Sequence, residues 1–147
     1  MRTFPEIPDV RVLREGWFQL EQDQRYQWAH DGRLHRITVR VPFCFDGASI
    51  PRIARVWLGR WDLGLNPPLF HDWLYRYRGN LPEYSHQEWM HGTWRTVGEP
   101  WSRRGADRLM GRMMREKGVP VFRRRMAYRA VRVGGWIPWL RYGEDWA

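Results

Sequence analysis

Ile37, Val39, Val41 and Phe43 are apolar and alternate with Thr38, Arg40 and Pro42. A period of two marks a strand with one buried face. Upstream, Asp31-Gly32 lies between two β-type runs and suits a two-residue hairpin turn. Gly16 punctuates an earlier run, WFQLEQD. The pattern predicts two or three antiparallel strands over residues 10–45, ending at Phe45.

From residue 49 to 135 the pattern is helical. Ser49 can cap a short helix, SIPRIARVWLG, with Pro51 in its first turn. Pro67-Pro68 precede a helical stretch from about Leu69 to Tyr77, which Gly79 and Asn80 end. Ser102 caps the run SRRGADRLMGRMMREKG, which Gly118 terminates. A last helix is expected from about Val121 to Val133, stopped by Gly134-Gly135 and followed by a tryptophan-rich tail, 136–147. Residues 80–101 read as irregular or as a small extra element. The expected fold is α+β: one domain over 1–147, with a small antiparallel sheet packed on about three helices.

The chain has 147 residues, enough for one domain with its own core. No apolar run is long enough for a membrane span. The start, MRTFPEIPDV, has no apolar h-region, so no signal peptide is expected. Cys44 is the single cysteine; it excludes an internal disulfide and fits a reducing compartment. It reads as packing rather than as a nucleophile. The formal charge is +9, and Lys117 is the only lysine. Arginine forks bind carboxylates and phosphates and stack on rings, and 11 tryptophans accompany them. A surface for nucleic acid or an acidic partner competes with a merely solvated one.

Two stretches concentrate polar side chains among apolar ones: FDGASIPR at 45–52 and FHDWLYRYRG at 70–79. On a helix, His71 and Tyr75 are one turn apart and share a face. Asp72 points elsewhere and can pair with Arg76. On the later helix, Asp107 falls at the edge of the stripe formed by Met110 and Met114. Arg104, Arg108, Arg112 and Arg115 take the other side. A carboxylate on a core-facing stripe needs a partner, and His71 is the best candidate. An imidazole oriented by a carboxylate is the arrangement of a general base. A structural reading also holds: the pair satisfies two buried groups, while Asp46 turns onto the Ala48 or Ser49 amide and Arg52 pairs Asp46 or Asp72. Asp46, Asp72, His71 and Asp107 also offer hard ligands, so calcium is possible, with Asp72 and Asp46 as candidate ligands. Zinc spacings are absent. His86 and His91 are five apart, a poor helical pair, and are read as surface residues.

FDGASIPR, FHDWLYR, SRRGADRLMGRMMREKGV and MAYRAVRVGGW occur in that order. Together they resemble a domain-of-unknown-function family of tailed bacteriophages and prophages, over about residues 15–140. Residues 80–101 are longer than that family's connection and read as an insertion. The resemblance implies a phage-encoded origin; the arginine- and tryptophan-rich surface favours a structural or accessory protein of the virion or its assembly, and the His–Asp–Tyr grouping a small hydrolase acting on lipid or cell envelope. The chain's expected partners are other phage proteins, with nucleic acid as a further candidate, and its expected location is the virion or host cytoplasm.

His-Asp-x-x-Tyr followed by an Asp on a second helix is also similar to secreted phospholipase A2. That resemblance implies a hydrolase with His71 as base, Asp72 as calcium ligand and Asp107 as orienter. The glycine-rich calcium loop and the disulfides of that family are absent.

Overall fold

The computed structural model describes residues 8–14, 17–46 and 66–141. Seven strands and four helices lie among them. The strands are β1 (Val10–Arg14), β2 (Trp17–Leu20), β3 (Gln24–His30), β4 (Arg33–Val39), β5 (Phe43–Asp46), β6 (His86–Met90) and β7 (Thr93–Thr96). The helices are α1 (Asn66–Arg76), α2 (Arg103–Glu116), α3 (Val121–Gly134) and α4 (Trp136–Arg141). The fold is α+β, but the β-part is larger than the alternation predicts. Two antiparallel sheets replace the single small one, in the orders β1-β2-β5 and β3-β4-β6-β7.

The β3-β4 hairpin turns at Asp31-Gly32, where both residues have positive φ (48° and 73°). That is the primed geometry matching strand twist. Alternation then sorts the faces: Tyr26, Trp28, Ile37 and Val39 are buried. Residues 80–101 contribute β6 and β7, joined at His91-Gly92, again with two positive φ values. β6 pairs with β4 (His35 with Glu88, Ile37 with His86), so this segment extends the main sheet. His86, expected on the surface, is buried, because that register turns it toward the sheet face that carries Trp28 and His35. His91 is exposed at the turn.

α1 begins at Asn66, so Pro67 and Pro68 lie in its first turn, where a missing N–H costs nothing. Every residue from Asn66 to Tyr75 is buried. A helix enclosed on all sides belongs to the centre of the core. Trp73 packs edge-on against Phe43 of β5 at 5.0 Å between centroids. Its Nε1 donates to Ser85 Oγ (2.9 Å), and that hydroxyl donates to the Thr38 carbonyl (2.8 Å). The helix therefore touches both sheets. It ends at Gly79, whose φ is +80° and whose N–H bonds the Leu74 carbonyl. A Cβ there would sit 1.9 Å from the Trp101 carbonyl oxygen, so only glycine fits.

Ser102 caps α2, its Oγ accepting from the Gly105 N–H at 2.9 Å. The buried stripe of α2 is Ala106, Asp107, Leu109, Met110, Met113 and Met114. α3 buries only Ala127 and Val131, and α4 lays Trp139 edge-on against Tyr75 at 5.0 Å. The tryptophan-rich tail is thus helical to Arg141, and Trp146 lies outside the described residues. Among the described residues no helix is long and apolar enough to cross a membrane.

Candidate functional site

The faces of α1 and α2 meet at Asp107. Its carboxylate is fully buried, as is the His71 ring. His71 Nε2 and Asp107 Oδ1 lie 2.8 Å apart, the pairing that the helical phase of both segments predicts. Tyr75 donates its hydroxyl to the same oxygen at 2.6 Å. Arg132 of α3 donates from Nη1 to Oδ2 at 2.8 Å, and Arg103 stands 3.6 Å from that oxygen. Arg103 also donates to the Val131 and Arg132 carbonyls, both at 3.1 Å. These carbonyls belong to the last turn of α3, where a cation is favoured. One carboxylate therefore ties three helices. Glycine at position 135 completes the fit, since a Cβ there would approach the Tyr75 hydroxyl to 2.6 Å.

The electrostatics follow from these contacts. Burial by itself would raise the Asp107 carboxyl; hydrogen bonds from His71, Tyr75 and Arg132 outweigh it and hold the group below its ordinary value. The carboxylate is thus ionised and accepts only, so His71 must carry its proton on Nε2. Burial, then the bond to Asp107, push the Tyr75 hydroxyl well above its ordinary value. The other His71 nitrogen, Nδ1, is buried and has no hydrogen-bond partner. Chemically this is an imidazole held through Nε2, with Nδ1 unused. In a site open to substrate it would be a base. Here the His71 side chain is 1% exposed.

Asp72, next to His71, is also buried. Arg76 extends its guanidinium toward the Cys44 carbonyl (3.5 Å) and the Phe43 ring. Ser49, Arg52 and the Asp46 side chain lie outside the described residues, as does the short helix expected to begin at Ser49. Among the described residues, no three His, Cys, Asp or Glu side chains group as metal ligands.

The pattern of the family described as "Protein of unknown function (DUF1353)" matches residues 18–131. The chain belongs to this family. No curated protein and no solved structure matches it. The DUF1353 span runs from Phe18 in β2 to Val131 in α3. It includes His71, Tyr75, Arg103 and Asp107, and it stops one residue before Arg132.

Two further groupings in the DUF1353 domain escape a reading by linear motif. Six arginines from α2 and α3 line a groove of about 380 Å³. Arg108, Arg112 and Arg115 belong to the polar face that helical phase assigns to α2. Arg124, Arg125 and Arg129 join them only because α3 packs alongside. A second cavity, about 480 Å³, is walled by Trp28, His35, His86 and Trp101, with Glu88 and Glu99 at it. His35 and His86, which bond each other there, are 51 residues apart, so no local spacing announces the pair.

Proposed function

We propose that the chain is a structural or accessory protein of a bacteriophage particle or of its assembly, and that it works by docking on another protein component. The observation that carries this reading is an apolar row at the end of α3 and on α4. Val133, Trp136, Ile137 and Leu140 are 76%, 52%, 43% and 47% exposed. Trp136 and Ile137 lie four and three residues before Leu140, so these three share one side of α4, and Val133 stands in the last turn of α3 just before it. A contiguous exposed apolar patch on a highly charged chain is characteristic of a protein contact. The likeness of the motifs to tailed-phage and prophage proteins supports the setting.

The test is to replace Val133 and Ile137 with Glu at the native locus. The double variant should melt within a few degrees of wild type, since both side chains already face water. It should lower the yield of infectious particles about tenfold or more, because interface anchors each contribute roughly 2 kcal/mol or more. Unchanged yield, with the chain absent from particles and from assembly intermediates, would refute the reading.

A second reading, a small hydrolase of the phospholipase A2 kind or directed at the cell envelope, is favoured by one observation. His71 Nδ1 is unpartnered while Nε2 is held by Asp107. This reading requires the chain around His71 to open. It predicts turnover of lipid, ester or peptidoglycan substrates, with calcium as a candidate requirement. His71→Gln would then lower the rate by roughly 10²–10⁴-fold. The docking reading predicts no turnover by the wild-type protein under any of these conditions.

A further inference from the structure

We infer that the α2–α3 groove and the adjoining aromatic cavity form one site for single-stranded nucleic acid, with phosphates along the arginines and a base in the cavity. The groove carries the first half. Among the described residues, no carboxylate lies within ion-pairing distance of Arg108, Arg115, Arg124, Arg125 or Arg129. Arg112 alone is anchored, to Glu116 and to the Ala29 carbonyl, each at 3.1 Å. Arg108 and Arg112, and likewise Arg125 and Arg129, are like charges four residues apart on one helix face, an arrangement that weakens helices. Concentrated, uncompensated guanidinium forks are matched by phosphate oxygens.

The cavity carries the second half and decides between polyanions. It is contiguous with the groove, because Arg108 and Arg112 line both. These two are one turn apart, about 6 Å along the axis. The cavity walls are flat heteroaromatic rings. His35 and His86 stack on Trp28 at 5.4 and 5.7 Å, and Trp101 tilts against His86 at 5.1 Å. Their protons are fixed by a chain of bonds. Trp101 Nε1–H donates to His86 Nδ1 (3.2 Å), so His86 Nε2–H donates to His35 Nδ1 (3.3 Å). A neutral His35 then keeps Nε2–H as a further donor. Burial lowers both imidazoles, which keeps them uncharged at neutral pH. Glu88 and Glu99 add acceptors. An acidic peptide would meet these carboxylates as like charges. A nucleobase presents a planar ring and amino groups that a carboxylate accepts from.

The experiment is fluorescence anisotropy with labelled oligodeoxynucleotides and oligoribonucleotides of about twelve residues. An abasic oligomer of the same length and polyglutamate serve as competitors. We expect intact oligomers to bind and the abasic oligomer to bind roughly tenfold more weakly, as lost base stacking would give. Arg124→Glu/Arg125→Glu/Arg129→Glu should weaken binding about tenfold or more. It should also flatten its dependence on salt between about 50 and 200 mM. Glu99→Ala should weaken the intact oligomer and leave the abasic one unchanged. Equal affinity for intact and abasic oligomers would overturn the cavity assignment and with it the proposal. Binding of polyglutamate without oligonucleotide would assign the groove to an acidic protein instead. Failure of every probe would also overturn the inference. None of these outcomes bears on the α4 docking row, which is a separate surface.

Discussion

Asp107→Ala should destabilise the protein by about 3–5 kcal/mol, the usual cost of removing one partner from a buried charged network. For a chain of this size that is a fall in melting temperature of roughly 10 °C or more. The variant leaves three donors, on His71, Tyr75 and Arg132, without their acceptor, and Arg103 without its ion partner. His71 Nε2–H and the Tyr75 hydroxyl are enclosed and cannot turn to water. Arg132 and Arg103 are about a quarter and a fifth exposed, so they regain part of their hydration. The loss is therefore concentrated on the α1 side of the contact. Tyr75→Phe removes one donor to a charged acceptor and keeps the ring against Trp139, so it should cost only about 1.5–3 kcal/mol. Asp107→Asn keeps the shape but gives up the charge. Part of the amide then faces donors as a donor, so its cost should fall between the other two. Chemical denaturation of the three variants checks the order. An Asp107→Ala protein as stable as wild type would show that the carboxylate does not hold the helices together.

That this contact could be anticipated rests on one physical point. Helical phase places Asp107 at the edge of an apolar stripe, and a buried carboxylate demands a partner. His71 and Tyr75 lie on a shared face of a segment already marked as helical. The two arginines of the same network were not legible. The chain is crowded with arginine, and which guanidinium reaches Asp107 depends on where the last turn of α3 docks. Local signals served equally well at Asp31-Gly32 and at Ser102, whose roles are set within a few residues. They failed at β6 and β7. HQEWM and TWRT carry polar residues at most positions, and they become strands by pairing with β4 and with each other. The turn signal at His91-Gly92 is weaker in sequence than Asp-Gly, since His-Gly is not among the pairs that favour a two-residue hairpin turn. His86 followed from the same omission. Once β6 is in register with β4, an imidazole that reads as a surface residue is carried into the sheet's aromatic face.

Acidification should weaken the fold before most carboxylates titrate, and His86 should be the main cause. Its burial, reinforced by the neighbouring His35 and only partly opposed by Glu88, lowers it to about 4 from an ordinary 6.5. The folded protein therefore resists protonation that the unfolded chain accepts. Above pH 6.5 neither state is charged at this residue, and there is no penalty. As pH falls from about 6.5 toward 4 the unfolded state binds the extra proton, and stability drops by up to about 3 kcal/mol. Below about 4 the folded state protonates too, and the loss levels off. His35 is lowered by burial as well, with Glu88 opposing and His30 and Arg33 adding to the shift, so it acts in the same direction. Asp107 takes over further down. Its lowered carboxyl stabilises the fold above the ordinary aspartate value of 3.8, and that contribution is lost as pH falls through the folded value. Denaturant midpoints at pH 7.5, 5.5 and 4.5 should thus decline steadily for the wild-type protein. His86→Gln removes the main titrating group. That variant should be less stable at pH 7.5, having lost the ring stacked on Trp28 and tilted against Trp101. It should show a much shallower decline toward pH 4.5. A wild-type midpoint that stays flat from 7.5 to 4.5 would exclude a buried neutral imidazole at this position. An identical decline in the variant would assign the acid sensitivity to another group.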